Sequence, residues 1–247
     1  MAETILILGG TAEAARLARA AHETFAGKAR VVVSLAGRTR APAALPVETR
    51  TGGFGGAAGL ADYLRAEKIA LLVDATHPFA QRISANARLA CAAANVPRLQ
   101  LVRPQWTIPK LARVTWAASL EEAAVLLPDI GKAAFLAVGG RGLAAFAHIK
   151  DVRLVARAVE MPDEKPPAIE IVLGRPPFMV ESERDLLERL KVDTLVARAS
   201  GGASGLAKIE AARDLKLSIL LIRRPEPEPG ECVATVEDAL AWIAARV

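Results

Sequence analysis

Ile5-Leu6-Ile7-Leu8-Gly9-Gly10-Thr11-Ala12-Glu13-Ala14-Ala15-Arg16-Leu17-Ala18-Arg19-Ala20 is the stretch that decides the fold. Four apolar residues stop at a glycine pair, and a run of helix formers without Gly or Pro follows. An unbroken apolar run reads as a parallel strand covered on both faces, and the alanine-rich run as the helix after it. Thr11 can cap that helix with its hydroxyl, and Glu13 sits in the first turn, where the helix dipole favours an acid. A strand, a tight glycine turn and a helix N-terminus make a phosphate site, because unpaired backbone N–H groups point outward there. Gly9, Gly10, Thr11 and Ala12 are therefore expected to hold a nucleotide. The spacing departs from the Gly-x-Gly-x-x-Gly/Ala fingerprint, since Thr11 stands where the second glycine belongs. A glycine turn without any ligand has the same local look, so the rest of the chain must decide.

Working outward, residues 29–34 read as a second strand, followed by Leu35-Ala36-Gly37-Arg38-Thr39-Arg40. In a dinucleotide-binding fold this is where the adenosine ribose is met. An acid there bonds the 2′-hydroxyl of NAD, whereas a hydroxyl with arginine accommodates the 2′-phosphate of NADP. Ser34, Arg38 and Arg40 are present and no acid is, which favours NADP; arginines in a solvated loop are the plainer alternative. Residues 41–50 carry two prolines and read as loop. In Thr51-Gly52-Gly53-Phe54-Gly55-Gly56, the glycines let the backbone approach a ligand and turn its N–H groups toward an anion. Gly53, Phe54 and Gly55 therefore join the expected cofactor site. A helix over 60–67 and a strand over 69–73 lead into Asp74-Ala75-Thr76-His77-Pro78-Phe79-Ala80. Ligands of open α/β sheets bind outside the carboxyl ends of strands, so Thr76 and His77 are well placed, His77 as hydrogen-bonding group or proton donor.

The second half repeats the layout without a clear sequence repeat. After a segment with Pro104 and Pro109, Ser119-Leu120-Glu121-Glu122 is a capping box. A strand over 133–138 runs into Gly139-Gly140-Arg141-Gly142 and a short helix. Further strands are expected at 152–159, 194–197 and 217–222. A charged helix is expected over 180–190, and a helix carrying Lys208 in its first turn follows Arg198-Ala199-Ser200-Gly201-Gly202. Residues 223–230 read as loop, and Thr235 opens a final helix. Strands alternating with helices in both halves predict an α/β protein of two Rossmann-like, doubly wound parallel sheets with a cleft between them. The expected domains are 1–110 and 111–247.

Composition bounds the functions. Apolar residues make up 52% of the 247, enough for real cores, yet no apolar run is long enough for a bilayer. Met1-Ala2-Glu3 lacks the basic start of a signal peptide, and Cys91 and Cys232 have no metal-type spacing; both point to a cytoplasmic protein with reduced thiols. Three scattered histidines form no metal cluster, so no metal is expected. A net charge of +5 with 4% aromatics and no basic run does not point to nucleic acid; a small polyanion fits better.

Taken together, Leu8-Gly9-Gly10-Thr11 with Glu13-Ala14, Gly52-Gly53-Phe54-Gly55-Gly56, Asp74-Ala75-Thr76-His77-Pro78-Phe79-Ala80, Arg103-Pro104 with Trp106, Ser200-Gly201-Gly202 with Lys208, and Arg224-Pro225 span nearly the whole chain. In that order they resemble the precorrin-6A reductase family of corrin biosynthesis, together with its cobalt-precorrin counterpart. Arg198-Ala199 stands where a lysine-asparagine pair is expected, and Pro176 where a glycine is expected. The resemblance implies transfer of a hydride from NADPH to a ring double bond of precorrin-6A, giving the dihydro, precorrin-6B level. It also implies a cleft whose cations suit the acetate and propionate groups of the macrocycle. Arg141, Arg198, Ser200, Gly201, Gly202 and Arg223 are then the expected substrate contacts, with His77 first and Lys208 second as proton donor. Alternatives are a cobalt-precorrin-6A reductase using NADH, a nucleotide-sugar transferase or epimerase, and a non-catalytic nucleotide sensor. A monomer or small homo-oligomer, independent of membranes, is expected.

Overall fold

A computed structural model describes residues 3–37, 44–162 and 166–247. Among the described residues, twelve strands fall into two all-parallel, six-stranded sheets. The first contains β1 (Glu3–Leu8), β2 (Ala29–Leu35), β3 (Glu48–Thr51), β4 (Ile69–Asp74), β5 (Arg98–Leu101) and β12 (Glu231–Val233), in the order β12-β5-β4-β1-β2-β3. The second contains β6 (Arg113–Ala117), β7 (Ala133–Ala137), β8 (Arg153–Ala158), β9 (Ile169–Leu173), β10 (Thr194–Arg198) and β11 (Ser218–Ile222), in the order β6-β11-β10-β7-β8-β9. The α/β architecture with two doubly wound sheets is the one expected from the sequence.

β1 is central because Ile5, Leu6, Ile7 and Leu8 are all buried, the first and third on one sheet face and the other two on the opposite face. Burying each such side chain contributes about 1.5–3 kcal/mol, which outweighs the roughly 1–2 kcal/mol of backbone entropy lost per residue. One face of the sheet is covered by α1 (Ala12–Thr24) and α7 (Val236–Ala244), through Ala14, Leu17, Ala18 and Ala21 of the former and Val236, Ala239, Trp242 and Ile243 of the latter. The other is covered by α2 (Gly56–Ala66) and α3 (Gln81–Ala94), through Leu60, Leu64, Ala87 and Cys91. In the second sheet, α5 (Val180–Arg189) and α6 (Ala203–Asp214) cover the face that carries Phe135, Leu195 and Leu221. α4 (Leu120–Ile130) is capped as expected, Ser119 Oγ accepting from the Glu122 amide at 3.1 Å.

Several expectations need correction. The chain divides into compact units Met1–Pro104 with Pro225–Val247, and Gln105–Arg224, rather than once near residue 110. The cause is β12, which pairs in parallel with β5 (Cys232 opposite Gln100) and brings α7 to the first sheet. β3 lies within the expected loop because an edge strand reading Glu-Thr-Arg-Thr has no apolar periodicity. β6, β9 and β12 are likewise strands that the sequence reading does not include. α2 starts at Gly56, the last residue of the glycine run, rather than at residue 60, and Lys208 falls in the second turn of α6 rather than its first. The expected short helix after Gly139 is a 3₁₀ helix, Gly140–Phe146. Among the described residues, no helix is long and apolar enough to cross a membrane.

The packing of α3 has a chemical signature. Cys91 is buried, and desolvation pushes its thiol up to about 12, whereas Cys232 on β12 is exposed. Because the thiolate is the reactive form, a thiol reagent near neutral pH should label Cys232 in the native protein and Cys91 only after denaturation. Mass mapping of the labelled peptides checks this; native labelling of Cys91 would contradict the packing.

Candidate functional site

In each sheet the strand order reverses once, between β1 and β4 in the first and between β7 and β10 in the second. Ligands of doubly wound sheets bind at the carboxyl ends of strands beside such a reversal. The first reversal brings together Gly9, Gly10, Thr11 and Ala12 after β1 with Ala75, Thr76 and His77 after β4. Gly10 has φ +106°, a conformation that favours glycine, and a Cβ built there would meet nothing within 4 Å among the described residues. Gly9 is held differently: its amide donates to the Ser34 carbonyl at 2.9 Å, and a Cβ would stand 3.0 Å from Val33 Cγ1. Thr11 Oγ1 accepts from the Ala14 amide at 3.1 Å and donates to the Ala75 carbonyl at 2.8 Å. The same hydroxyl therefore caps α1 and ties the β1 turn to the β4 turn. The first amides of α1 lack intrahelical acceptors by geometry, and the open space over Gly10 gives an anion room to reach them. These residues fit the pyrophosphate of a dinucleotide.

Glu13, in the first turn of α1, would repel such an anion. Arg103 Nη1 meets its Oε2 at 3.1 Å with both side chains largely buried, so the charge is neutralised in place. Asp74, at the end of β4, is 2% exposed. Its Oδ1 accepts from the Thr76 amide at 3.1 Å and from Thr76 Oγ1 at 2.7 Å, and Gln100 Nε2 lies 3.4 Å from Oδ2. This buried carboxylate fixes the Thr76 turn. His77 Nδ1 accepts from the Phe79 amide at 3.2 Å, which in the neutral ring leaves the proton on Nε2.

Ser34 ends the buried part of β2, opposite Leu8 on one side and Arg50 of β3 on the other. Arg50 Nη1 donates to Ser34 Oγ at 2.8 Å and to the Gly52 carbonyl at 3.2 Å, and Nη2 donates to the Gly53 carbonyl at 3.1 Å. Its guanidinium lies 3.9 Å from the centre of the Phe54 ring, which meets Tyr63 edge-on at 5.2 Å. Burial and then the Glu67 carboxylate raise the Tyr63 phenol above its ordinary range, so it is neutral beside Arg50. Gly55 opens α2 as its N-cap. Arg38 and Arg40, the other residues expected at the ribose, lie outside the described residues.

The second reversal carries the remaining expected residues at the carboxyl ends of three neighbouring strands: Arg141 after β7, Arg198, Ser200, Gly201 and Gly202 after β10, and Arg223 after β11. Arg141 is exposed and Ser200 is 9% exposed. The Arg198 guanidinium lies so close to Gly142 that a Cβ there would come within 3.2 Å of Nη2. Trp106 Nε1 donates to the Gly202 carbonyl at 2.7 Å, and its ring passes where a Cβ on Gly205 would be, 2.5 Å from Cζ2. Lys208 Nζ donates to the Gly205 carbonyl at 3.1 Å and lies 5.8 Å from the Trp106 ring. Arg223 lies 5.1 Å from the Trp116 ring. At the end of β8, Arg157 forms a two-pronged pair with the buried Glu183 of α5, under the Phe178 ring at 4.0 Å.

Sequence reasoning missed Arg50, Arg103, Gln100 and Trp106 as organising residues. The first lies on a polar edge strand, and the others act through partners far away in the chain. Asp74 is visible in its motif, but its role needs the Thr76 and Gln100 contacts.

The model of the family described as precorrin-6x reductase CbiJ/CobK matches residues 4–244. A precorrin-6A reductase of Rhodococcus erythropolis is 44% identical over 242 residues, covering 97% of this chain and 96% of that protein. A cobalt-precorrin-6A reductase of Priestia megaterium is 30% identical over 193 residues, covering 73% of this chain and 75% of that one. The solved structure described as CobK precorrin-6A reductase superposes with a TM-score of 0.90 at 40% identity, covering 99% of this chain and 97% of that chain.

Replacing Asp74 tests the role given to it. Asp74→Ala leaves the Thr76 amide and the Gln100 amide group without their buried acceptor, at a cost of about 1–3 kcal/mol. The urea midpoint should fall accordingly, and dinucleotide affinity with it. Asp74→Asn, which keeps one acceptor oxygen, should lose less of both. An unchanged midpoint in Asp74→Ala would contradict the assignment.

Proposed function

The chain belongs to the precorrin-6x reductase family, and from that premise we propose that it reduces a ring double bond of precorrin-6A with NADPH, giving the precorrin-6B level in cobalamin biosynthesis. The observation that carries this reading is the carboxyl edge of the first sheet. There a glycine elbow at a helix N-terminus stands beside the end of β2, where Ser34 accepts from Arg50 of β3, and residues 34–40 contain no acid in sequence.

In this proposal Gly9, Gly10, Thr11 and Ala12 hold the pyrophosphate, with Thr76 on the neighbouring turn. Ser34, Arg38 and Arg40 are assigned to the adenosine ribose, Arg38 and Arg40 on their sequence position alone, and Gly53, Phe54 and Gly55 to the same edge. When bound, NADPH supplies the hydride, so the protein's work is to bind, orient and exclude water. Arg141, Arg198 and Arg223, with the turn Ser200-Gly201-Gly202, receive the carboxylates of the macrocycle; paired guanidinium–carboxylate contacts strengthen as water leaves. Reduction of the double bond adds one hydride and one proton. His77 Nε2 is the first source of that proton and Lys208 Nζ the second, each restored from solvent. Neither is needed to form a covalent intermediate.

The identity of 44% to a protein named precorrin-6A reductase, against 30% to one named cobalt-precorrin-6A reductase, supports the metal-free substrate. The test is incubation with metal-free precorrin-6A and with its cobalt form, each with NADPH or NADH, following nicotinamide absorbance and product mass. Oxidation of NADPH that depends on metal-free precorrin-6A, with a product carrying two more hydrogens, is expected. Turnover of the cobalt form alone with NADH would replace the substrate and cofactor assignment. Nucleotide binding without turnover of either form would make the protein a sensor.

A further inference from the structure

The sequence directs attention to Arg38 and Arg40 as readers of a ribose phosphate; the described residues offer another cation, Arg50. Arg50 stands opposite Ser34 in the β2–β3 ladder, at the carboxyl edge where the adenosine end of a dinucleotide lies in folds of this kind. Three of its five N–H groups have acceptors, and all three acceptors are neutral: the Ser34 hydroxyl and the carbonyls of Gly52 and Gly53. The N–H of Nε and the second N–H of Nη2 have no acceptor among the described residues. No carboxylate pairs with Arg50 among those residues either. Glu48 on its own strand and Glu67 just after α2 are both taken by Arg30, at 2.7 and 3.1 Å, and Asp62 of α2 pairs with Arg65 at 3.1 Å. Arg50 is thus a half-buried cation. It is stacked on Phe54, anchored at one end, and keeps two donors and a full positive charge uncompensated.

We propose that Arg50 recognises the 2′-phosphate on the adenosine ribose of the bound dinucleotide, with the hydroxyl of Ser34 as its neighbour. The proposal rests on the reading of NADPH as cofactor. The two remaining N–H groups match a pair of phosphate oxygens, and a dianion is the partner that such an uncompensated guanidinium lacks. The bonds to Gly52 and Gly53 give the residue a second effect: they hold the glycine run in shape while the free donors face the ligand. An arginine that only stabilised the loop would show no preference for a phosphate at the 2′ position.

The experiment compares adenosine 2′,5′-bisphosphate with 5′-AMP, two probes differing only in the 2′-phosphate, by calorimetry on the wild-type chain, Arg50→Gln and Arg50→Lys. The wild type should prefer the bisphosphate. Arg50→Gln should reduce that preference about tenfold or more, with most of the loss falling on the bisphosphate. Arg50→Lys, which keeps the charge without the planar fork, should fall between the two and carries the test if Arg50→Gln does not fold. A preference unchanged in the variants, or an equal loss of both probes, overturns the assignment to Arg50 and leaves the NADPH reading standing. No preference in the wild type overturns the NADPH reading itself.

Discussion

The hydroxyl of Thr11 is the joint on which the first sheet's ligand edge depends. It caps the start of α1 by accepting from Ala14 and fastens that turn to the neighbouring β4 turn by donating to Ala75. A threonine N-cap contributes about 1 kcal/mol to its helix; its larger effect here is geometric. β1 and β4 are neighbours at the point where the strand order reverses, so their following turns would diverge without a tie across the gap. The glycine at position 10 turns the backbone, and the threonine fixes where the turned chain goes. A threonine can stand where the dinucleotide fingerprint has a glycine because Gly10 leaves the space over the turn open and the third position serves as clasp.

Around that joint the charges are arranged so that the edge stays receptive to an anion. Glu13 is matched by Arg103, while Asp74 is turned inward onto Thr76 and Gln100. These two acids at the carboxyl edge are thereby occupied, and the helix N-terminus and the Arg50 guanidinium contribute positive field there. The second unit uses a comparable device at Trp106, whose indole N–H locks the Ser200-Gly201-Gly202 turn through the Gly202 carbonyl.

Much of this was legible in the sequence, and the reason is burial. β1, β4, β10 and β11 lie inside their sheets, so their apolar runs carried the signal. The glycine turns, the Thr11, Ser119 and Thr235 caps and the Asp74-Ala75-Thr76-His77 segment follow from local chemistry. What stayed hidden lies on edges or depends on distance. β3 and β12 are short, polar edge strands, and the return of β12 to β5 is a pairing between residues more than a hundred positions apart. That single pairing moved a domain boundary. Arg50 escaped notice because it lies on β3; once the Ser34–Arg50 register is known, its position beside Ser34 at the carboxyl edge follows. The pair Arg157–Glu183 was likewise invisible, since nothing local links β8 to α5.

The most direct measurement of the central claim is a crystal structure of the protein grown with NADP⁺. The account predicts the pyrophosphate against the amides that follow Gly10, with Thr11 still bonded to Ala75 and the adenosine phosphate beside Ser34. A dinucleotide seated away from that turn, or one whose phosphates touch none of these amides, would contradict it.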